Sequence, residues 1–452
     1  MSDRVEELTR QLDSPDEFER HHALEELAQM AREGEVELEP RKNWINLHAH
    51  TFFSYSGYGY SPSRFAWEAY REGLEAAGIV DFDCLDGTQE FLEAGRILNL
   101  KTTAGFETRV FIKEYRDRVI NSPREPGVFY LVGTGFVRPP EADSSAAETL
   151  GAMQERALKR NVSMLKRLNE HLAPLRVDYE ADVLPLTAAG NATERHMVTA
   201  IEAKARDDYG GGEDLAHFWA KKLEVGPDEV RKLLNDVPAL KGLIRSKLMK
   251  HGGVGYVQPD SESFPPLQRA VDMTRAEGAV PSACWLDGTS EGEQDPLEHF
   301  GFLRDCGCAT ITIIPDRNWN VPEEERDAKV MKLNEAIAAA QQLDMPILVG
   351  TEMNKYGTRL VDDFESEALA PHLHTFRKGA HILWGHTLLK MTAGVGYVGE
   401  WADAHFDGKT AEKNSFFREI GEADYPEPEV REQLQEIGSE GVPGDFRHAL
   451  YA

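Results

Sequence analysis

The sequence predicts an α/β fold in which short parallel strands alternate with helices and close into a barrel. Short apolar runs of strand-like composition recur along the chain, at residues 44–47, 76–80, 102–106, 128–132, 279–284, 309–314, 346–349 and 381–384. Helical patterns separate many of these runs, for example at residues 63–74 and 328–343. Repeated alternation of strands and helices indicates parallel strands joined by crossover helices. About seven such units favour a barrel over an open sheet.

Three further segments flank or interrupt the predicted barrel, which spans residues 43–400. Residues 1–42 carry leucines at helical spacing, with a break at Ser14-Pro15-Asp16, and form a predicted N-terminal helical extension. Residues 141–252 are mostly helical and charged, which predicts an insertion or cap between the two halves of the barrel. Residues 401–452 are acidic and punctuated by Pro and Gly, and are predicted to form a peripheral tail.

Composition and charge restrict the class of protein. The chain has 452 residues, of which 41% are apolar and 28% charged, as is ordinary for a globular protein. Its 50 Lys and Arg against 78 Asp and Glu give a net charge of -28, which disfavours binding to nucleic acid. Four cysteines in no zinc-finger pattern favour a reducing cytoplasm. No apolar stretch approaches the length of a membrane span, and the acidic N-terminus does not resemble a signal peptide.

Two histidines separated by one residue end the first predicted strand. His48-Ala49-His50 follows the apolar run 44–47. Residues two apart in an extended segment face the same way, so both imidazoles project together from the carboxyl end of the strand. Neutral imidazole is the commonest protein ligand for zinc and similar metals. The pattern indicates a divalent-metal site, the alternative being two surface histidines beside a loop.

Acidic side chains follow the later predicted strands in the same manner. Asp81 and Asp83 come after the second run, Glu107 after the third, and Glu352 after the run 346–349. In a parallel barrel these strand ends meet at one mouth, where functional side chains are found. Two histidines and several carboxylates therefore form a candidate metal-ligand set.

This order of motifs resembles that of the PHP (polymerase and histidinol phosphatase) family. The resemblance extends in motif order over residues 43–390 and rests on the HxH pair, the acidic turn at residues 81–83 and the Gly-x-Glu of residues 105–107. It implies a distorted (βα)7 barrel that uses two or three metal ions, mainly to hydrolyse phosphate esters. By position, His48 and His50 match the first motif of the family and Glu107 its bridging carboxylate.

The resemblance also implies which further residues hold metal and which ligands are lost. His196 matches a retained histidine, and Glu352 stands in place of an aspartate. Phe82, Tyr130 and Asn354 stand where the family has histidines. The substitutions predict one good metal site, a weak second site and no third. The cofactor is therefore one or two divalent ions, of zinc, manganese or iron.

Three residues are candidates for catalysis beyond the metal ligands. Arg109, two residues after Glu107, is predicted to bind the substrate anion, with Arg317 and Lys355 as further candidates. Asp81 either binds metal or holds one of the histidines in the required tautomer. His386 follows the predicted strand 381–384 and is either a general acid or base or a buried structural residue.

Together these features predict a cytoplasmic metal-dependent hydrolase of the PHP superfamily. We expect a phosphoesterase that acts on a small anionic metabolite through a metal-activated water, with no nucleic acid or membrane partner. One alternative is a mononuclear-metal hydrolase, lyase or isomerase that acts on a non-phosphorylated sugar-like or carboxylated compound. Another is a metal-binding domain without catalysis. The sequence predicts neither the substrate nor the oligomeric state.

Overall fold

The computed structural model describes residues 3–451. Residues 1, 2 and 452, at the outer ends of the predicted N-terminal extension and C-terminal tail, lie outside the described residues. Seven strands form one sheet in sequence order. They are β1 (Ile45–Ala49), β2 (Ala76–Phe82), β3 (Lys101–Phe111), β4 (Val128–Phe136), β5 (Val280–Trp285), β6 (Thr310–Ile313) and β7 (Ile347–Val349).

The sheet curls into a nearly closed barrel because its last strand returns to its first. Just beyond β7, the backbone N–H of Glu352 donates to the carbonyl oxygen of His48 at 2.7 Å. The N–H of His50 donates back to the carbonyl oxygen of Glu352 at 2.9 Å. Gly350 permits this approach, since a Cβ at that position would lie 2.4 Å from the backbone nitrogen of His48. Closure therefore places the HxH segment at the seam of the barrel.

The direction of β4 differs from the prediction of parallel strands throughout. β4 runs antiparallel to both β3 and β5, whereas β1, β2 and β3 pair in parallel, as do β5, β6 and β7. A parallel connection needs a crossover of a dozen or more residues, usually helical. Residues 112–127 contain only a short 3-10 turn, Lys113–Tyr115, so the chain turns back beside β3. The predicted barrel is confirmed, but its uniform strand direction is wrong.

The predicted strand at residues 381–384 is also wrong, because these residues lie inside a long helix. Helix α14 spans Leu373–Ala393, and Ile382, Leu383 and Trp384 are buried in it. A short apolar run in a helix that is buried on most sides has no periodicity that distinguishes it from a buried strand. Residues 381–384 therefore pack against the barrel and do not extend its sheet.

Eighteen helices surround the barrel within the part of the chain that the structure describes. Those that precede the insertion are α1 (Asp3–Gln11), α2 (Glu17–Arg32), α3 (Pro62–Arg71) and α4 (Thr88–Leu98). The insertion contributes α5 (Ser145–Leu172), α6 (Glu194–Tyr209), α7 (Glu213–Leu223), α8 (Pro227–Leu233) and α9 (Val237–Leu248). The remainder are α10 (Leu267–Ala276), α11 (Pro296–Asp305), α12 (Asp316–Trp319), α13 (Glu323–Gln342), α14, α15 (Glu400–Phe406), α16 (Thr410–Glu422), α17 (Pro428–Ile437) and α18 (Pro443–Tyr451). No helix in residues 3–451 combines the length and the apolarity that a membrane crossing requires.

The insertion has a hydrophobic core of its own, built where its helices cross. Leu168, Met197, Ile201, Trp219 and Ile244 are buried together in it. A core of this kind lets the insertion hold its shape beside the barrel. We call residues 141–252 the cap, because they cover the mouth of the barrel described below.

The predicted peripheral tail is instead a helical layer packed on the barrel. Phe416, Phe417 and Ile420 of α16 are fully buried against α14 and belong to the main core. The two helices approach so closely that a Cβ on Gly421 would lie 1.8 Å from the carbonyl oxygen of His381. The acidic composition of this segment therefore belongs to its exposed faces, and its apolar residues complete the core.

Candidate metal centre

Three of the predicted metal ligands meet near the carboxyl end of β1, and Glu107 joins the two histidines from within β3. His48 and His50 are each 2% exposed and Glu107 is 5% exposed. The Nε2 atom of His50 lies 3.1 Å from Oε2 of Glu107, and that of His48 lies 3.7 Å from the same oxygen. One ligand atom from each residue falls within 4.8 Å of the others, which forms a compact His-His-Glu group.

Hydrogen bonding around His50 leaves one lone pair of its ring free. Ser54 Oγ donates to Asp81 Oδ1 at 2.6 Å and lies 3.2 Å from Nδ1 of His50. Since the single hydroxyl proton of Ser54 goes to Asp81, Nδ1 of His50 carries the proton and donates it to Ser54. Nε2 of His50 is therefore a lone-pair donor that faces the Glu107 carboxylate.

The group suits a divalent cation. Nε2 of His50 and both ring nitrogens of His48 are buried without a hydrogen-bond partner. Buried polar atoms are almost always paired, so orphaned ones in a cluster indicate a ligand. Two imidazoles and one carboxylate are ligands that zinc, manganese and iron accept.

Asp81 lies behind His50 and does not reach the cavity. Its carboxylate accepts from Thr51 N at 2.7 Å, from Thr51 Oγ1 at 2.6 Å and from Ser54 Oγ. These bonds hold the turn after β1 and, through Ser54, orient the ring of His50. Asp81 is therefore a positioning residue, which corrects its prediction as a catalytic one and agrees with the alternative that it sets a tautomer.

Glu352 lies near the His-His-Glu group without joining it. Its carboxylate pairs with Arg317 and also accepts from Asn354 Nδ2 at 3.1 Å. Burial would raise the pKa of Glu352, but the Arg317 charge outweighs it and lowers the pKa. Glu352 is not among the residues whose ligand atoms lie within 4.8 Å of one another, so its role as a metal ligand stays a prediction. Arg317, a sequence candidate for anion binding, uses one nitrogen for this pair and lines the same cavity as Arg109.

His196 is the second predicted ligand that lies outside the His-His-Glu group. It lies in the first turn of α6, where Nδ1 accepts from the backbone N–H of Thr193 at 3.0 Å. Its ring packs edge-on against Tyr55, and burial lowers its pKa to about 4. His196 therefore caps a helix of the cap, and its prediction as a metal ligand is not supported.

His386 has a structural role in the centre of α14. Its Nδ1 accepts from the N–H of Tyr397 at 2.9 Å, and its Nε2 donates to the carbonyl oxygen of Gly135 at 2.9 Å. Both ring nitrogens are thus occupied, and the residue is fully buried. The geometry agrees with the buried structural alternative and contradicts the prediction of a general acid or base.

We expect His386 to make folding pH-dependent. Burial lowers its pKa to about 4, so its neutral form stabilises the fold fully above pH 6.5 and loses that effect as pH falls toward 4. Between pH 7.5 and 5 this contribution amounts to about 2 kcal/mol. Urea unfolding of His386→Gln at both pH values should show a correspondingly smaller difference than wild type. His374→Gln, an exposed change on the same helix, is the control, and an unaltered pH dependence in His386→Gln would refute this role.

A cavity of about 790 Å³ separates the His-His-Glu group from the cap. His48, Glu107 and Glu352 line its floor, and Arg160 and Arg195 of the cap line its roof. Nine Lys and Arg border the cavity against six Asp and Glu, although acids outnumber bases by 78 to 50 in the whole chain. The cavity is thus a locally cationic site within an acidic protein, which suits an anionic ligand.

Arg109 lines this cavity from β3 and has an acidic partner. One of its nitrogens lies 3.2 Å from Oε2 of Glu125, which also accepts from Ser122 at 2.6 Å. Its guanidinium stacks over Phe264, 4.4 Å from the ring centroid. The salt bridge uses one edge of the guanidinium, so the remaining N–H groups are available to a ligand.

The cap residues of the site were not predicted from the sequence. Arg160 and Arg195 lie in cap helices whose charges resemble an ordinary solvated face, and Phe264 lies in a loop that follows the cap. No spacing rule connects Arg160 and Arg195 to the HxH motif, because the fold of the cap brings them over the mouth. The arginines of the predicted insertion are scattered among acidic residues and give no specific signal.

Comparisons with known proteins give a distant likeness only. No protein-family model matches this chain, and no curated protein matches its sequence. One similar solved structure is a protein from Bifidobacterium adolescentis provisionally described as a metal-dependent phosphoesterase, with 17% sequence identity and a TM-score of 0.46, covering 75% of this chain and 98% of the other. A second is an amidohydrolase from Chromobacterium violaceum with bound sulfate and no metal, with 15% identity and a TM-score of 0.45, covering 72% and 96%. Likeness of this degree identifies neither a reaction nor a substrate.

Proposed function

We propose that this chain is a metal-dependent hydrolase of small anionic esters, with phosphate esters as its main substrates, and a divergent member of the PHP family. The observation that carries the proposal is the His-His-Glu group. Nε2 of His50 and the carboxylate of Glu107 lie 3.1 Å apart in a buried site beside the ring of His48, and a divalent cation could bind all three residues there.

Different residues of the site would bind the metal and the substrate. His48, His50 and Glu107 would hold one divalent ion of zinc, manganese or iron. Bound there, such an ion supplies a Lewis acid that lowers the pKa of a water molecule and polarises one substrate oxygen. Asp81 and Ser54 hold the ring of His50 in the tautomer that leaves Nε2 free.

The cationic walls of the cavity support an anionic substrate. Arg109 faces the cavity with free N–H groups and suits bidentate contact with a phosphate or carboxylate. Lys355 lines the same cavity. The cap restricts access of bulk water, which strengthens each of these charge interactions.

The proposal is tested by metal content followed by hydrolysis. Protein stripped with a chelator and reloaded separately with zinc, manganese and iron should bind about one ion per chain. We expect metal-dependent release of inorganic phosphate from at least one member of a panel of sugar, nucleoside and alkyl monophosphates. Bound metal without phosphate release would favour the alternative of a non-phosphorylated substrate. Failure to bind any of the three metals would overturn the proposal.

A further inference from the structure

Two guanidiniums in the roof of the cavity lack a carboxylate partner. Arg160 donates to the backbone carbonyl of Ser263 at 2.8 Å, and Arg195 donates to the side-chain oxygen of Asn354 at 3.1 Å. Within residues 3–451, neither arginine forms an ion pair. Arg245, another cation of the cap, is paired with Glu194 at 2.9 Å.

Both guanidiniums are held against aromatic rings. Arg160 lies 4.4 Å from the centroid of Phe264, the ring that also contacts Arg109 at 4.4 Å. Arg195 lies 5.7 Å from the centroid of Tyr55. Stacking restrains a guanidinium while leaving its N–H edge free, which is the arrangement that recognises a planar or tetrahedral anion.

The position of these two guanidiniums is electrostatically costly. Burial, together with the neighbouring charge of Arg109, lowers the pKa of Arg160 to about 10. Burial and the charge of Arg245 lower the pKa of Arg195 to about 10 as well. Arg160 and Arg195 are partly buried, and charges removed from water are normally paired with an opposite charge. An anionic ligand would remove this cost.

We infer that Arg160 and Arg195 form a second anion subsite in the cap, so that the substrate carries two separate anionic groups. This inference rests on the proposed function, which places the reacting group at the His-His-Glu end of the same cavity. The second group is a phosphate or a carboxylate, since a guanidinium binds both in the same way. The substrate class is therefore a small compound with two anions that together span the floor and the roof.

One chain of contacts joins the two ends of the cavity. Arg195 binds Asn354, and Asn354 binds Glu352, which pairs with Arg317 beside the metal group. The cap arginine is thus fixed relative to the floor. We therefore expect a preferred separation between the two anions of the ligand.

The inference is tested with phosphonates, which the proposed reaction cannot cleave. Three probes share an alkyl spacer of three to six carbons: an alkylphosphonate, an ω-phosphonocarboxylate and an alkane-α,ω-bisphosphonate. Their affinities are measured by calorimetry on wild type, Arg160→Gln, Arg195→Gln and the control Arg206→Gln, each with and without bound metal. Arg206 lies on the same helix as Arg195 but pairs with Glu202 at 2.7 Å, so its removal changes the cap charge without touching the subsite.

We expect at least one two-anion probe to bind about tenfold or more tightly than the alkylphosphonate, which corresponds to about 1.4 kcal/mol. Arg160→Gln and Arg195→Gln should each remove most of this preference, and Arg206→Gln should retain it. The ω-phosphonocarboxylate and the bisphosphonate distinguish a carboxylate from a phosphate as the second group. Equal binding of one-anion and two-anion probes at every spacer length would overturn the inference.

Two further readouts separate this inference from folding and from the proposed function. If Arg160 and Arg195 serve the subsite, Arg160→Gln and Arg195→Gln should melt at a temperature no lower than that of Arg206→Gln. If these arginines only support the fold, the two variants should melt at a lower temperature than Arg206→Gln. If Arg160→Gln does not fold, Arg195→Gln provides the same test. A two-anion preference that persists in metal-free protein, together with no hydrolysis of any ester, would refute the hydrolase and retain the subsite.

Discussion

Glu107→Gln is expected to abolish metal binding at the His-His-Glu group and with it any hydrolysis. The change keeps the shape of the side chain but removes the charge that offsets a divalent ion between two imidazoles. Residues that merely orient a metal ligand contribute about 10- to 100-fold to affinity or activity, so we expect loss of this ligand to cost more than about 100-fold. Metal content per chain and kcat/KM on the best ester found in the panel are the measurements.

A matched carboxylate serves as the control for Glu107→Gln. Asp316 lines the same cavity and bonds only to Asn320 among side chains, at 2.8 Å. Asp316→Asn removes one negative charge from the cavity and should leave metal content unchanged. Full metal content and activity in Glu107→Gln would show that this residue only pairs with the histidines.

Arg109→Ala is expected to weaken substrate recognition while leaving metal content intact. Removing one partner of a buried charge pair typically costs 2–5 kcal/mol or more, so we expect kcat/KM to fall by about 30-fold or more. Some loss of stability should accompany it, because Glu125 loses its cationic partner.

The variant Glu125→Gln separates the two roles of Arg109. It breaks the same salt bridge but leaves the guanidinium in the cavity. If Arg109 binds substrate, Glu125→Gln should retain much more of kcat/KM than Arg109→Ala. Unfolding at lower temperature with an unchanged kcat/KM in Arg109→Ala would assign Arg109 to the fold alone.

The sequence predicts the barrel and the centre of the site because both follow from local patterns. The seven strands coincide with apolar runs, and HxH at the end of β1 with Glu107 on β3 are brought together by pairing of neighbouring strands. No local pattern predicts the direction of β4, because this direction depends on how residues 112–127 turn back. The apolar run at 381–384 could not be assigned to helix α14 because a run buried on most sides shows no helical periodicity.

The surroundings of other predicted ligands are less predictable from the sequence. His196 and Glu352 were placed by their order in the chain, but each also contacts a residue, Thr193 and Arg317 respectively, that no motif contains. Arg160 and Arg195 come from the cap, whose position over the barrel is a tertiary property. Site residues on consecutive strands could thus be predicted from the sequence, and site residues in the insertion could not.

The most direct measurement of the central claim is anomalous diffraction from crystals of the metal-loaded protein, recorded at the absorption edge of the bound metal. We predict a strong peak among Nε2 of His48, Nε2 of His50 and the carboxylate of Glu107, and no peak there in crystals of Glu107→Gln. A metal-loaded crystal whose anomalous peaks all lie elsewhere, with His50 and Glu107 still in direct contact, would contradict the account.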